Sequence, residues 1–148
     1  MAKIKLAESE LYRIPLTVVL SDSTHGQISA FELLTCRVRD SDGAEGVGYT
    51  YTVGRNGGAV ADVLRREIPE LIKGREAEDT EAIWHHVWWA LHYGGRGGPA
   101  VLALSALDIA LWDLKAPICP CLAYSAVSTP VCPVTPAAST LISLSRPF

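Results

Sequence analysis

Hydrophobic and polar positions change their period twice along the chain. Over residues 12–20 apolar side chains fall on alternate positions (Tyr12, Ile14, Leu16, Val18, Leu20), the period of a strand. Pro15 removes a ladder donor from that run and assigns it to a sheet edge. Residues 32–39 alternate again, with Leu34, Cys36 and Val38 on one face and Thr35, Arg37 and Arg39 on the other. Asp40-Ser41-Asp42-Gly43 follows with turn chemistry, because Asp closes an Asx-turn and Gly accepts positive φ. Val47, Tyr49, Tyr51 and Val53 continue the alternation, with Thr50 and Thr52 facing away. These runs predict a three-stranded antiparallel meander from about Tyr12 to Val53. Between the first two, Ser21-Asp22-Ser23-Thr24-His25-Gly26-Gln27 is polar and too long for a tight hairpin, the kind of loop that carries function on a rigid scaffold.

After Gly57-Gly58 the period becomes helical. Val60, Val63, Leu64, Ile68, Leu71 and Ile72 mark one stripe over 59–72, interrupted at Pro69 and ended by Gly74. Asp79 is a good N-cap for a second helix over 80–92, with Glu81 favoured in its first turn by the helix dipole. That helix carries Ile83, Trp84, Val87, Trp88 and Leu91. Pro99 opens a third, over 99–115, whose apolar residues run nearly all round, so most of its sides are expected to be buried. Trp84, Trp88, Val101, Leu104, Leu111 and Trp112 are the expected core contributors. Strands followed by helices define an α+β fold rather than a doubly wound sheet.

Composition sets limits on this picture. The 148 residues are 49% hydrophobic and 20% charged, with a net charge of −3. That suffices for one ordinary domain but not for a (β/α)₈ barrel, which needs roughly 250 residues. Near-balanced charge leaves no electrostatic footprint for nucleic acid, and no apolar run has membrane-spanning length. Polar residues from Glu8 exclude a signal-peptide core, and Cys36, Cys119, Cys121 and Cys132 are not spaced as a secreted disulfide framework. A cytoplasmic, globular protein is expected. Composition then breaks after Lys115. All 16 Asp and Glu precede Pro117, and beyond it only Arg146 is charged. Residues 117–148 are rich in Pro, Ser, Thr, Ala, Val and Cys, with prolines such as Pro117, Pro120, Pro130, Pro133 and Pro136 that forbid helix interiors and central strands. The expected division is a folded body, 1–116, and an aberrant Pro/Ser/Thr-rich tail, 117–148.

Candidate chemistry in the body is sparse. His85 and His92 share a helix face two turns apart, beside His86, but a metal needs a third ligand and no His-Glu-x-x-His spacing exists. Asp108 and Asp113 interrupt an apolar helix, where a carboxylate must be paired or hydrogen-bonded. A structural link to a loop or neighbouring helix explains them more simply than catalysis. The glycine-rich loops Gly54-Arg55-Asn56-Gly57-Gly58 and Gly94-Gly95-Arg96-Gly97-Gly98 each precede a helix, yet neither has a P-loop ending or a βαβ setting. Contact with a carboxylate and simple turn-making both remain open for them. Cys119-Pro120-Cys121 with Cys132 lacks a fourth zinc ligand in register.

Three stretches carry a family resemblance: Gly46-Val47-Gly48-Tyr49-Thr50-Tyr51-Thr52-Val53-Gly54, the Trp84 helix, and above all Ala106-Leu107-Asp108-Ile109-Ala110-Leu111-Trp112-Asp113-Leu114-Lys115. They resemble the N-terminal capping domain of the enolase superfamily, in its mandelate racemase/muconate lactonizing enzyme branch, and within it acid-sugar dehydratases such as talarate/galactarate dehydratase. The resemblance covers roughly Ile4 to Ala116. It implies a three-stranded meander plus helical bundle closing over a modified barrel. In that family the barrel supplies a Lys or His base and a Mg²⁺ on three acidic ligands, which together abstract the proton α to a carboxylate. It also implies that the cap supplies two specificity loops, here about 21–28 and 49–56, with Thr24, His25, Tyr51 and Arg55 facing a sugar-acid substrate. No catalytic residue and no metal ligand is expected within this chain.

Residues 117–148 depart from the family, which continues with a Leu-Gly-Gly and the first barrel strand. A neighbouring reading frame can supply His-Leu-Pro-Leu across Ile118-Cys119-Pro120 and Leu-Gly-Gly-Phe-Asp-Pro across residues 124–130. The expectation is therefore a frameshifted tail and a truncated, inactive chain. Homo-oligomerisation or aggregation through an exposed barrel-facing surface is expected too, with the 99–114 helix its first suspect. The alternative is a stand-alone binding or interaction module with a genuine Pro-rich C-terminus.

Overall fold

A computed structural model of the chain describes residues 1–116. Strands β1 (Ile4–Asp22), β2 (Gly26–Asp40) and β3 (Glu45–Thr52) form one antiparallel sheet in the order β1-β2-β3. Helix α1 (Gly57–Asp62) runs through a π-helical turn (Val63–Glu67) directly into α2 (Ile68–Ile72), and α3 (Thr80–Leu91) and α4 (Pro99–Lys115) follow. This is the α+β meander and three-part helical bundle that the periodicity predicts. What the sequence implies for 117–148 lies outside the described residues.

The wide π turn has a local cause. Pro69 has no N–H to donate, and its ring presses on the carbonyl four residues back, at Arg65. Loosening the turn before it to a π geometry keeps the helical path to Ile72 where the apolar stripe predicts an interruption. The bend after α2 is then stitched to the N-terminus. The Ile4 N–H donates to Arg75 O at 2.9 Å, and Gly74, at φ 78°, donates back to Ile4 O at 2.8 Å.

β1 is an edge strand, as Pro15 requires, but it begins at Ile4 rather than at Tyr12. Its first half escapes the alternation pattern because Glu8-Ser9-Glu10 reads as polar. Yet Ala7, Ser9 and Leu11 pair with Val38, Cys36 and Leu34, so they share the inner face with those buried side chains. Pairing slips after Pro15↔Ala30 and resumes at Leu20↔Ile28, which leaves residues 16–19 bulged opposite Ser29. The expectation of a long loop at 21–27 is corrected here. Ser21 pairs with Gln27 and Asp22 with Gly26, so only Ser23-Thr24-His25 turn the chain.

β3 is inverted relative to its apolar pattern. Gly46, Gly48, Thr50 and Thr52 face inward and are buried, whereas Val47, Tyr49 and Tyr51 are exposed. The reason is close approach. A Cβ on Gly46 would lie 2.7 Å from Leu114 Cα, and one on Gly48 would lie 2.5 Å from Ala110 N. Helix α4 rests its backbone on this side-chain-free track, with Ala103, Ala106 and Ala110 buried at the contact. Asp113 fixes the packing by accepting the Val47 N–H at 2.8 Å, a structural link as expected of that carboxylate but to strand β3 rather than to a loop or helix.

The core lies between the inner sheet face and the helices, built on Leu34, Val38, Leu64, Ile83, Leu107 and Leu111. Each such side chain contributes roughly 1.5–3 kcal/mol relative to exposure. Leu104 and Leu111 are buried as expected, but Trp84, Trp88 and Val101 are only half-buried. Trp112 is 46% exposed. The two helix-α3 tryptophans stack on each other with centroids 5.5 Å apart, and Trp112 carries Lys115 over its ring, so both sites use aromatic surface outside the core. The apolar exposed surface is wider than the 99–114 helix expected to carry it. Helix α4 buries the side that meets the sheet and keeps Ile109 and Trp112 exposed, and further exposed apolar residues lie on the outer sheet face (Ile14, Val47, Tyr49, Tyr51) and the β1 bulge (Val18, Val19). Among the described residues no helix is long and apolar enough to cross a membrane.

Candidate functional site

An antiparallel meander places alternate connections at opposite ends. The β1–β2 turn and the β3–α1 loop therefore leave one end of the sheet, and the Asp40–Glu45 connection leaves the other. Because Ala110 lies over Gly46 and Ala106 over Gly48, α4 runs antiparallel to β3. Its N-terminus, preceded by Gly94-Gly95-Arg96-Gly97-Gly98, faces the same end as the first two loops. The candidate residues divide between them. Thr24 and His25 sit in the hairpin turn, while Tyr51 and Arg55 sit at and just past the end of β3.

The two pairs do not meet within residues 1–116. β3 ends opposite Glu32, and β2 reaches back from there to Gly26, a strand path of about 20 Å. The hairpin is thus an arm that outreaches the rest of the sheet. Its turn is organised by a residue that sequence reading passed over. Asp22 Oδ1 accepts the Thr24 N–H at 2.7 Å and the His25 N–H, and Asp22 Oδ2 lies 2.9 Å from His25 Nδ1. Gly26 completes the turn at φ 71°, the left-handed residue that follows a three-residue hairpin turn. The backbone N–H of His25, its ring and the N–H of Thr24 hold the Asp22 carboxyl below the ordinary carboxylate value. The signal in the sequence was the Asp-x-x-His-Gly spacing.

The second loop is pinned by another missed residue, Glu32. Its Oε2 accepts from Thr52 Oγ1 at 2.6 Å and from the Gly57 N–H at 3.0 Å. This carboxylate ties β2, β3 and the start of α1 together, and a side chain on Gly57 would collide with it, 2.8 Å from Glu32 Cδ. Gly54 at φ 84° and Asn56 at φ 67° then fold residues 53–56 outward, leaving Arg55 exposed. Tyr51 stands on the outer sheet face, 58% exposed, with its ring edge-to-face on Phe31 at 5.6 Å. The outer face is apolar towards this end (Tyr12, Ile14, Leu33, Tyr49, Tyr51) and charged towards the other (Glu8, Glu10, Arg37, Arg39, Glu45).

The histidines on and just after α3 take separate, local roles. His85 faces Glu81 at 4.0 Å, and His92 Nδ1 bonds Trp89 O at 2.7 Å. Burial, and then the nearby Arg75, push the His86 pKa down. Among the described residues no three His, Cys, Asp or Glu side chains are placed to hold a metal ion.

A family model, mandelate racemase / muconate lactonizing enzyme, N-terminal domain, matches residues 5–119. The chain belongs to that family. Its α4 block and β3 run, which carried the resemblance, lie inside the match. The chain is 54% identical over 112 residues to 3,6-anhydro-alpha-L-galactonate cycloisomerase of Streptomyces coelicolor, covering 76% of this chain and 31% of the relative. It is 33% identical over 119 residues to L-talarate/galactarate dehydratase of Salmonella typhimurium, covering 77% and 30%. Solved structures agree. A racemase from Streptomyces coelicolor with bound magnesium superposes with a TM-score of 0.75 at 54% identity, over 76% of this chain and 32% of that one. The Salmonella typhimurium dehydratase liganded with Mg and L-lyxarohydroxamate superposes with a TM-score of 0.73 at 30% identity, over 79% and 31%. The chain thus spans about a third of the length of the curated relatives it matches.

Proposed function

We propose that residues 1–116 form the substrate-specificity cap of a magnesium-dependent enzyme that abstracts the proton α to the carboxylate of a sugar acid, in a dehydratase, racemase or cycloisomerase reaction. The observation that carries this reading is topological. The hairpin turn bearing Thr24 and His25 and the loop bearing Arg55 leave the same end of the sheet, the second just past exposed Tyr51. In this reading Arg55 offers a forked donor to a carboxylate. Thr24 and His25 address hydroxyl groups, and Tyr51 packs on the carbon chain. The base and the metal ligands belong to the remaining two-thirds of a full-length enzyme. The galactonate, talarate and galactarate in the names of the relatives support the substrate class, and the magnesium in the solved structures supports the metal.

The test is a transplant. Residues 1–116 replace the matching third of the Streptomyces coelicolor cycloisomerase, and Arg55→Ala, His25→Ala and Thr24→Ala are made in the chimera. Loss of a hydrogen bond to a charged group costs about 1.5–3 kcal/mol, so Arg55→Ala should lower kcat/KM by roughly 10–150-fold. An active chimera whose kcat/KM stays within about threefold in all three variants refutes the assignment, since a factor of ten needs only 1.4 kcal/mol. The 148-residue chain by itself, assayed with Mg²⁺ against galactarate and mandelate, should show no turnover. Chelator-sensitive turnover by the purified chain would overturn that part.

A further inference from the structure

The turn at the end of the hairpin arm gives His25 a defined chemical state. Asp22 Oδ1 accepts two backbone donors, Thr24 N–H and His25 N–H, and His25 Nδ1 faces both carboxylate oxygens, nearer Oδ2 at 2.9 Å than Oδ1 at 3.2 Å. An ionised carboxylate only accepts, and a neutral imidazole has one donor and one acceptor nitrogen. In a neutral ring the donor therefore sits on Nδ1. The His25 side chain is 56% exposed, so Nε2 remains open.

We propose that Asp22 is a positioning residue that fixes His25 in the Nδ1–H tautomer, so that the arm presents Nε2 as a hydrogen-bond acceptor to a hydroxyl group of a polyhydroxy-carboxylate ligand. This rests on the reading that the hairpin turn faces the substrate. It adds a sign to that reading, because an acceptor at the turn takes hydroxyl groups and leaves the carboxylate to a cation such as Arg55. The same carboxylate that sets the tautomer also sets the backbone of the turn, so ring orientation and loop shape are fixed together.

The test uses the 148-residue chain with ¹⁵N-labelled histidine, at a pH at which the ¹⁵N shifts themselves report a neutral His25 ring. Long-range ¹H–¹⁵N correlation should show His25 Nδ1 as the protonated, pyrrole-type nitrogen and Nε2 as the pyridine-type one. Asp22→Asn keeps an acceptor for the two backbone N–H groups but turns an NH₂ towards Nδ1. The tautomer should therefore invert to Nε2–H, while His92, held by the Trp89 carbonyl, stays unchanged. Titration with galactarate should then shift Nε2 of wild-type His25 upfield, and Asp22→Asn should remove that shift. A His25 that favours Nε2–H in the wild type, or whose tautomer ignores Asp22→Asn, overturns the positioning role and leaves the cap reading untouched. Galactarate shifts at the Thr24 and Arg55 amides without any change at His25 Nε2 overturn the ligand contact alone. No shift at any of these groups overturns both the ligand contact and the assignment of this loop end to sugar acids.

Discussion

The packing of α4 on β3 makes a prediction with two signs. Gly48 faces α4, and a Cβ there would lie 2.5 Å from Ala110 N and 3.0 Å from Ile109 Cβ. The first obstacle is helix backbone, which cannot rotate out of the way, so Gly48→Ala must lift α4 off the sheet along much of the Gly46–Gly48 track. Overpacking a well-packed core costs about 1–3 kcal/mol, and a backbone obstacle belongs at the upper end, about 3 kcal/mol. Against a total stability of roughly 10 kcal/mol for a body of this size, that is a large loss. At about 4 °C per kcal/mol it lowers Tm by ~12 °C. Gly58 supplies the control. It lies in the first turn of α1, and a Cβ there meets nothing within 4 Å. Gly58→Ala removes a glycine from a helix and should stabilise by about 0.5–1 kcal/mol. Urea unfolding followed by far-ultraviolet circular dichroism measures both, with the midpoint shift at constant m giving the energy. If Gly48→Ala falls within about 0.5 kcal/mol of wild type, the range of ordinary surface substitutions, then the close approach of α4 to β3 is wrong.

Three further outcomes follow from single contacts. Asp113→Ala leaves the Val47 N–H without its acceptor on the free edge of β3 and should cost about 1 kcal/mol, with faster hydrogen exchange at that amide; unchanged exchange at Val47 rules the contact out. The Asp22 carboxyl is held below its ordinary value of 3.8, so the stability it adds is fully present above 3.8 and is lost as pH falls through the lower folded value. The Thr24 and His25 amide signals should therefore titrate with a midpoint below 3.8, and a midpoint at or above it contradicts the turn geometry. Burial pushes the Cys36 thiol up to about 12, so peptide mapping after alkylation at about pH 8 should find Cys36 unmodified in the native chain and modified in denaturant. Rapid native labelling would mean that the inner sheet face is open.

How far the fold was legible depended on what each period can report. A helical stripe names its own buried side, and α1–α2, α3 and α4 accordingly fall within a few residues of the predicted spans. A strand's alternation names two faces without saying which one a helix will cover. For β2 the apolar face, Leu34, Cys36 and Val38, is the covered one. For β3 the covered face is the one with the smaller side chains, because α4 needs Gly46 and Gly48 to come close. The cue was present as two glycines two residues apart, a spacing that alternation counts as polar and packing counts as space. The half-buried tryptophans of α3 mislead in the opposite direction. Their large apolar area draws them into any predicted core, yet Trp84 and Trp88 cover each other at the rim of the bundle.

The candidate site was legible by position but not by mechanism of support. Loop order along the chain was enough to place Thr24, His25, Tyr51 and Arg55 at one end of a meander. What holds them comes from carboxylates of two different ranges. Asp22 acts on its neighbours two and three residues away, so the spacing contains it. Glu32 acts on Gly57, 25 residues later, and no local pattern could announce that. The two supports also differ in what lies behind them. Arg55 follows a loop tied into three elements through Glu32, beside the packed inner face. Thr24 and His25 ride on a two-stranded arm whose ladder is interrupted at 16–19, and a lone pair of strands is marginal in water. Covering the exposed Val18 and Val19 of that arm would add the apolar burial it lacks on its own. A ligand that reaches both loops would therefore meet a preformed cation on one side and, on the other, an acceptor whose position depends on what the arm packs against. In the proposed reading, discrimination between sugar acids falls chiefly to the hairpin, because hydroxyl pattern differs among them while a carboxylate is common to all.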